Sequence, residues 1–268
     1  DIIALAKGEF VELATITKPV ALVGACVEGT TIRPSSPHET LFTLTFEGAG
    51  GALLRDVTVT GERPGVRVRA VDEAVTLKAI AVQRAAGLAV QVLTSGRAHL
   101  SEVFVTDTQP VISTQRYGSA IQAISGSYIL IEDSSFMRHT EVSVGGVEAQ
   151  MEIRRVLITD TKAGLALAQG AGLGLFGGVR AEIEDLVLLR NQFVSLYVEK
   201  GTTVTLTNAY IADTQSYLYA GRYTGSGVYL VDSSSILNGV SLVGNACNSL
   251  YVKGGNAEVH GVMVAESI

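Results

Sequence analysis

Three aspartates set in one repeated phrase are the residues with the plainest chemical potential. Val105-Thr106-Asp107-Thr108, Ile158-Thr159-Asp160-Thr161 and Ile211-Ala212-Asp213-Thr214 recur at intervals of 53 residues. Two carboxyls held about 6.5–9.5 Å apart can hydrolyse a glycosidic bond with inversion, one as general acid and one activating water. The segments just past these aspartates, 109–118, 162–172 and 215–225, carry Arg116, Tyr117, Tyr217, Tyr219, Arg222 and Tyr223. Planar donors beside aromatic rings suit a glycan, which offers hydroxyls at its edges and C–H faces for stacking. The four histidines, His38, His99, His139 and His260, show no metal-ligand spacing, so no metal is expected.

The phrase belongs to a longer series that sets the architecture. Half-units at Met137-Arg138-His139, Leu189-Arg190-Asn191 and Val243-Gly244-Asn245 fall between the aspartate units, and Val59, Val82 and Val264 extend the series. The anchors 59, 82, 105, 137, 158, 189, 211, 243 and 264 are then one coil apart, with short steps of 21–23 residues. A short step is too brief for a strand, a crossover helix and a second strand. It suits three short strands and tight turns, and segments such as Thr203-Val204-Thr205-Leu206-Thr207 are alternating and β-branched as strands should be. The reading is an all-β chain, one parallel β-helix of nine or ten coils over residues 1–268, with residues 1–35 as first coil and cap. Long and short coils alternate from residue 105, so the three inserts stack along one edge.

Two positions past each anchor come Gly61, Arg84, Asp107, His139, Asp160, Asn191, Asp213, Asn245 and Glu266. Asn, Asp and Gly tolerate the left-handed backbone that a solenoid corner needs. Aspartates on alternate coils would lie ~9.6 Å apart, so Asp107, Asp160 and Asp213 stay catalytic candidates. The use that also accounts for Asn at intervening corners is hydrogen bonding to corner backbone. Single carboxylates that far apart do not make the oxygen cluster that calcium requires.

Composition narrows the classes further. With 47% hydrophobic and only 17% charged residues, the chain can bury a long core, and a formal charge of −6 without a basic stripe argues against a nucleic-acid partner. No run of 18 apolar residues suggests a membrane span. Cys26 and Cys247 fall some eight coils apart, on the order of 35–40 Å at the spacing of stacked strands, too far for a disulfide. The match Gly172-Leu173-Gly174-Leu175-Phe176-Gly177 opens no helix, so no nucleotide or other cofactor is expected.

The repeat, its corner residues and the opening Ala6-Lys7-Gly8-Glu9-Phe10-Val11-Glu12 resemble the pectate-lyase-like right-handed parallel β-helix superfamily. Nearest in character are bacterial extracytoplasmic β-helix repeat proteins of unassigned function. The catalytic signatures of polygalacturonases, pectate lyases and pectin methylesterases do not occur. The resemblance implies fold and a secreted or surface-anchored setting, not an activity.

One residue before each anchor stand Thr58, Ala81, Phe104, Phe136, Leu157, Leu188, Tyr210, Leu242 and Met263. Strand alternation turns these outward if the anchors point inward. Such an apolar stripe calls for cover. The inserts are expected to fold back over Phe104 to Tyr210, leaving Leu242 and Met263 for a partner or a second copy. The function expected is a non-catalytic scaffold that recognises a polysaccharide or a surface protein. The alternatives are a polysaccharide lyase or glycoside hydrolase on the insert edge, and a purely structural or oligomer-forming protein.

Overall fold

Ile3, Leu22, Leu54, Leu77, Leu100, Ile131, Ile153, Ile183, Leu206, Leu237 and Val259 stack as successive parallel Cα partners, one per coil. This file is the first of three sheets in the computed structural model. The model describes residues 1–164, 170–219 and 222–265; for Tyr219 and Arg222 it describes the backbone. The second sheet runs from Phe10 and Ile32 through Val59, Val82 and Val105 to Val264. The third runs from Thr15 and Thr45 through Arg67 to Tyr251. Ten coils are complete, and an eleventh contributes the first-sheet part of Leu250–His260, from Gly255 on, and Met263–Ala265. No helix occurs among the described residues.

Most corners are turned on residues with left-handed backbone. Between the first and second sheets these are Asp56, Ala79, Glu102, Asp133, Arg155, Asp185, Asn208 and Gly239. Between the third and the next coil's first they are Ala70, Thr94, Ser125, Glu148, Gly177, Lys200, Asp232 and Gly254. A single αL residue reverses the pleat without interrupting the ladder, so Val75–Gln83 serves two sheets with Ala79 (φ 48°) at the bend. Side chains alternate across each strand, and the inward set is apolar: Leu77, Val82, Val90, Ile131, Phe136 and Leu206 are all fully buried.

The second sheet corrects the anchor series by one residue on the short coils. Val105 pairs with Phe136, Ile158 with Leu188, and Ile211 with Leu242, so the anchors are 136, 188 and 242. A slip of one exchanges the two faces of a strand. Phe136, Leu188 and Leu242 are therefore core, and Leu242 is not available to a partner. The true outer row is Thr58, Ala81, Phe104, Ser135, Leu157, Val187, Tyr210, Ser241 and Met263. Serines break the apolar stripe, Phe104 and Leu157 are half-buried, and Tyr210 and Met263 are exposed.

Among the described residues the inserts do not cover that row. They leave at the corner between the second and third sheets, and the 109–118 insert turns onto the outer face of the third, with Val111 and Tyr117 beside Gln91 and Gln122. Residues 165–169, including the Leu165 and Leu167 expected to shield Leu157, lie outside the described residues. A further insert, 34–43, leaves the second coil at the same corner, between Thr30–Arg33 and Leu44–Glu47. Cys26 sits in that second coil rather than the first; both cysteines are free thiols.

Candidate functional site

The aspartates stand at the corner between the second and third sheets, all left-handed: Asp107 (φ 58°), Asp160 (φ 60°) and Asp213 (φ 56°). The residues between them are Arg138 (φ 60°) and Arg190 (φ 51°), not His139 and Asn191. Arg138 Nε and Nη2 each donate to Asp107, to Oδ1 and Oδ2, at 2.7 Å. Arg190 clasps Asp160 the same way at 2.8 and 2.9 Å. The Thr106 and Thr159 hydroxyls donate to the same carboxylates and accept from the same guanidiniums. The bidentate arginine holds the Asp107 carboxyl down to about 2, and Arg190 lowers Asp160 likewise. A general acid needs the opposite shift. Asp213 faces Gly244 instead of an arginine.

His139 and Asn191 follow these corner residues and point inward with Asn245. They join Thr108, Thr161 and Thr214 in a buried polar file. Asn191 Oδ1 accepts from the Thr161 amide and its Nδ2 donates to the Ile158 carbonyl. Asn245 does the same between Thr214 and Ile211. In the coil pair nearest the N-terminus the position is His139. Burial drives its pKa down to about 3, while the Val105 carbonyl and Asp107 oppose the shift only weakly.

The insert residues are not gathered into one row. Tyr117 (φ 68°) is exposed, and its amide donates to Glu141 Oε2 at 2.8 Å. Arg116 lies near the same carboxyl, which burial raises above the ordinary range. Tyr217 and Tyr223 belong to an antiparallel hairpin, Tyr217–Tyr219 with Arg222–Thr224, four coils away, and Tyr223 is exposed. The side chains of Tyr219 and Arg222 lie outside the described residues.

What the fold does assemble is a cleft of about 430 Å³ on the outer face of the third sheet. Its floor is a file of outward side chains from three successive coils, Arg67, Gln91 and Gln122. Arg67 Nε donates to Gln91 Oε1 at 3.2 Å, and Gln91 Nε2 donates to Gln122 Oε1 at 2.8 Å. The Arg67 guanidinium carbon lies 4.0 Å from the centroid of the Phe42 ring. Phe42, Pro64, Leu88, Val111 and Tyr117 line the cleft. Above, the 34–43 insert crosses two coils to meet the 109–118 insert, where Glu39 accepts from the Ser113 amide (2.9 Å) and hydroxyl. A second cleft, of about 540 Å³, lies on the other side of that strap.

Sequence reasoning missed Arg67, Gln91 and Gln122. A signal exists: each is a polar residue between two apolar neighbours, and they are 24 and 31 residues apart, one coil each. Farther along the same row, past Gly145 and Gly174, come Tyr197, Tyr229 and Tyr251. Their rings stack on one another at 5.4 and 4.4 Å, and Phe176 leans on Tyr197 at 5.5 Å.

Residues 64–263 match the family model described as a right handed beta helix region. The chain belongs to the right-handed β-helix family. No curated protein sequence matches this β-helix at a significant level. Among solved structures it is similar to a GH87 α-1,3-glucanase catalytic domain in complex with tetrasaccharides: TM-score 0.54, 11% identity, covering 99% of this chain and 60% of the other. It thus spans three-fifths of that glucanase chain. Similar too are the mannuronan C-5 epimerase AlgE6 A-module of Azotobacter vinelandii (TM-score 0.45, 13% identity, 100% and 90% covered) and a GH87 α-1,3-glucanase catalytic unit from Streptomyces thermodiastaticus (0.47, 13%, 100% and 64%). At these identities the likeness is one of fold. No helix among the described residues of this β-helix protein is long and apolar enough to cross a membrane.

Proposed function

We propose that this β-helix is an extracytoplasmic carbohydrate-binding protein whose site is the strap-covered cleft on the third sheet. The observation that carries the reading is the hydrogen-bonded file Arg67–Gln91–Gln122 on the cleft floor. A sugar needs planar polar groups in fixed orientation for its hydroxyls and an apolar or aromatic surface for its C–H faces. The file supplies the first, and Leu88, Val111 and the exposed Tyr117 supply the second. The cleft's volume falls in the range of small-molecule sites. That the similar glucanase structure holds tetrasaccharides agrees with this use of the fold.

Binding fits the site better than hydrolysis. Inverting or retaining cleavage uses two carboxyls, one with a raised pKa. The carboxyl lining this cleft is Glu39, and its bonds from Ser113 lower its pKa.

The test is titration of the isotope-labelled protein with neutral and charged mono- and oligosaccharides, followed by amide and side-chain NMR shifts. Shifts confined to Arg67, Gln91, Gln122 and Tyr117, lost in Gln91→Ala, are expected. Shifts at the hairpin tyrosines instead, or none with any sugar, would sink the cleft reading. Reducing ends or unsaturated products released from a polysaccharide panel would replace binding with catalysis.

A further inference from the structure

The direction of the hydrogen bonds on the cleft floor determines what kind of group can complete it. An arginine only donates, so the Gln91 side chain must turn its oxygen toward Arg67 Nε. That places the Gln91 amide nitrogen toward Gln122, whose oxygen accepts from it. The Gln122 amide nitrogen is left at the end of the file as a further donor. Among the described residues no acceptor meets it, nor either terminal nitrogen of Arg67.

The guanidinium also has no ion pair of its own, and Glu47 acts on it only through space. Arg69, the next outward residue on the same strand, takes Glu47. Glu39 on the strap spends its oxygens on Ser113. Arg67 is half-buried against Phe42, and Gln91 is buried. A half-buried cation beside the unpaired N–H of Gln122 lacks an acceptor that carries negative charge.

Resting on the carbohydrate reading, we infer that the ligand of this cleft carries an oxyanion that seats between the terminal nitrogens of Arg67 and the free amide of Gln122. The anion enters with its sugar body against Leu88, Val111 and Tyr117. A carboxylate and a sulfate ester share this chemistry, and both fit a guanidinium fork.

Glucose, glucuronate and glucose 6-sulfate, titrated separately at one ionic strength, test the inference. At least one anionic sugar is expected to bind about ten- to a hundredfold more tightly than glucose, the worth of a charge-assisted pair. Which of the two binds more tightly identifies the oxyanion. Arg67→Gln should abolish the preference. Gln122→Ala, which removes only the terminal donor on an outer face, should weaken anion binding several-fold with an unchanged melting temperature. Equal affinity for all three sugars, or a preference that survives Arg67→Gln, overturns this inference and leaves the carbohydrate reading standing. No binding of any sugar removes both.

Discussion

Arg138 stands one coil above Asp107 and closes on both carboxylate oxygens at 2.7 Å. The pair repeats as Arg190 over Asp160, and in both the arginine bears a left-handed backbone that the ion pair offsets. Asp160→Asn and Asp107→Asn are therefore expected to leave sugar binding, and any activity found on a polysaccharide panel, unchanged. Because the pairs are a third to a half exposed, Arg138→Ala should cost no more than about 1 kcal/mol. The sign with pH follows from the depressed Asp107 value. Its contribution is present above the ordinary pKa near 3.8 and is lost as pH falls toward about 2. Urea unfolding at pH 7 and pH 2.5 measures it; a loss of several kcal/mol at pH 7 contradicts this account.

His139 occupies a place made for asparagine. Asn191 and Asn245 each bridge a threonine amide below and a backbone carbonyl, whereas both ring nitrogens of His139 and the hydroxyl of Thr108 lie buried without a well-formed bond. His139→Asn should supply the missing acceptor to Thr108 and gain about 1–2 kcal/mol. Its depressed value means that the native state keeps the ring neutral. Wild type should lose stability relative to the variant as pH falls from about 6.5 toward about 3. Parallel thermal melts at pH 7 and pH 4.5 should show the gap widen in acid; a narrowing gap would refute the assignment.

How much of this was legible in the sequence follows from how strongly each feature was specified. The coil length came through because left-handed corner residues and inward apolar files recur from coil to coil. The register of the short coils did not, since Met137-Arg138-His139 offers two residues for the corner. Left-handed propensity alone favours His139 or Asn191 over an arginine. The carboxylate one coil below holds Arg138 and Arg190 there, and that is a tertiary effect. The cleft was hidden for a related reason. Its floor comes from residues 24 and 31 apart, and its roof from an insert at 34–43 that precedes the recognisable repeat.

Glu141 is a buried carboxyl with one oxygen bonded to the Tyr117 amide and the other without a partner. Burial raises its pKa, outweighing the Tyr117 bond and the Arg116 charge. The ionised form is thus the costly one, so stability should be greatest below the ordinary glutamate range and fall as pH rises through the raised value. Glu141→Gln, which keeps the acceptor for Tyr117 and removes the charge, is expected to raise the melting temperature at pH 8 and do little at pH 4. A variant less stable than wild type at both pH values would show that the charge is compensated.

Tyr229 lies between Tyr197 and Tyr251, with interplanar angles of 18° and 13° and centroids 5.4 and 4.4 Å away. Rings stacked along the solenoid axis at the coil spacing occupy one another's faces, so a sugar meets their edges and hydroxyls. The file is accordingly a stabilising ladder of the C-terminal coils. Tyr229→Ala removes two stacking contacts, each worth about 0.5–1.5 kcal/mol beyond burial, and should destabilise by about 1–3 kcal/mol. Tyr229→Phe keeps both contacts and should stay within about 0.5 kcal/mol. Neither change should alter binding in the cleft, whose floor ends at Gln122, four coils before Tyr229. Chemical unfolding and sugar titration of the two variants decide the point. If Tyr229→Ala abolishes sugar binding while leaving unfolding unchanged, the row is a ligand platform and the cleft is not the primary site.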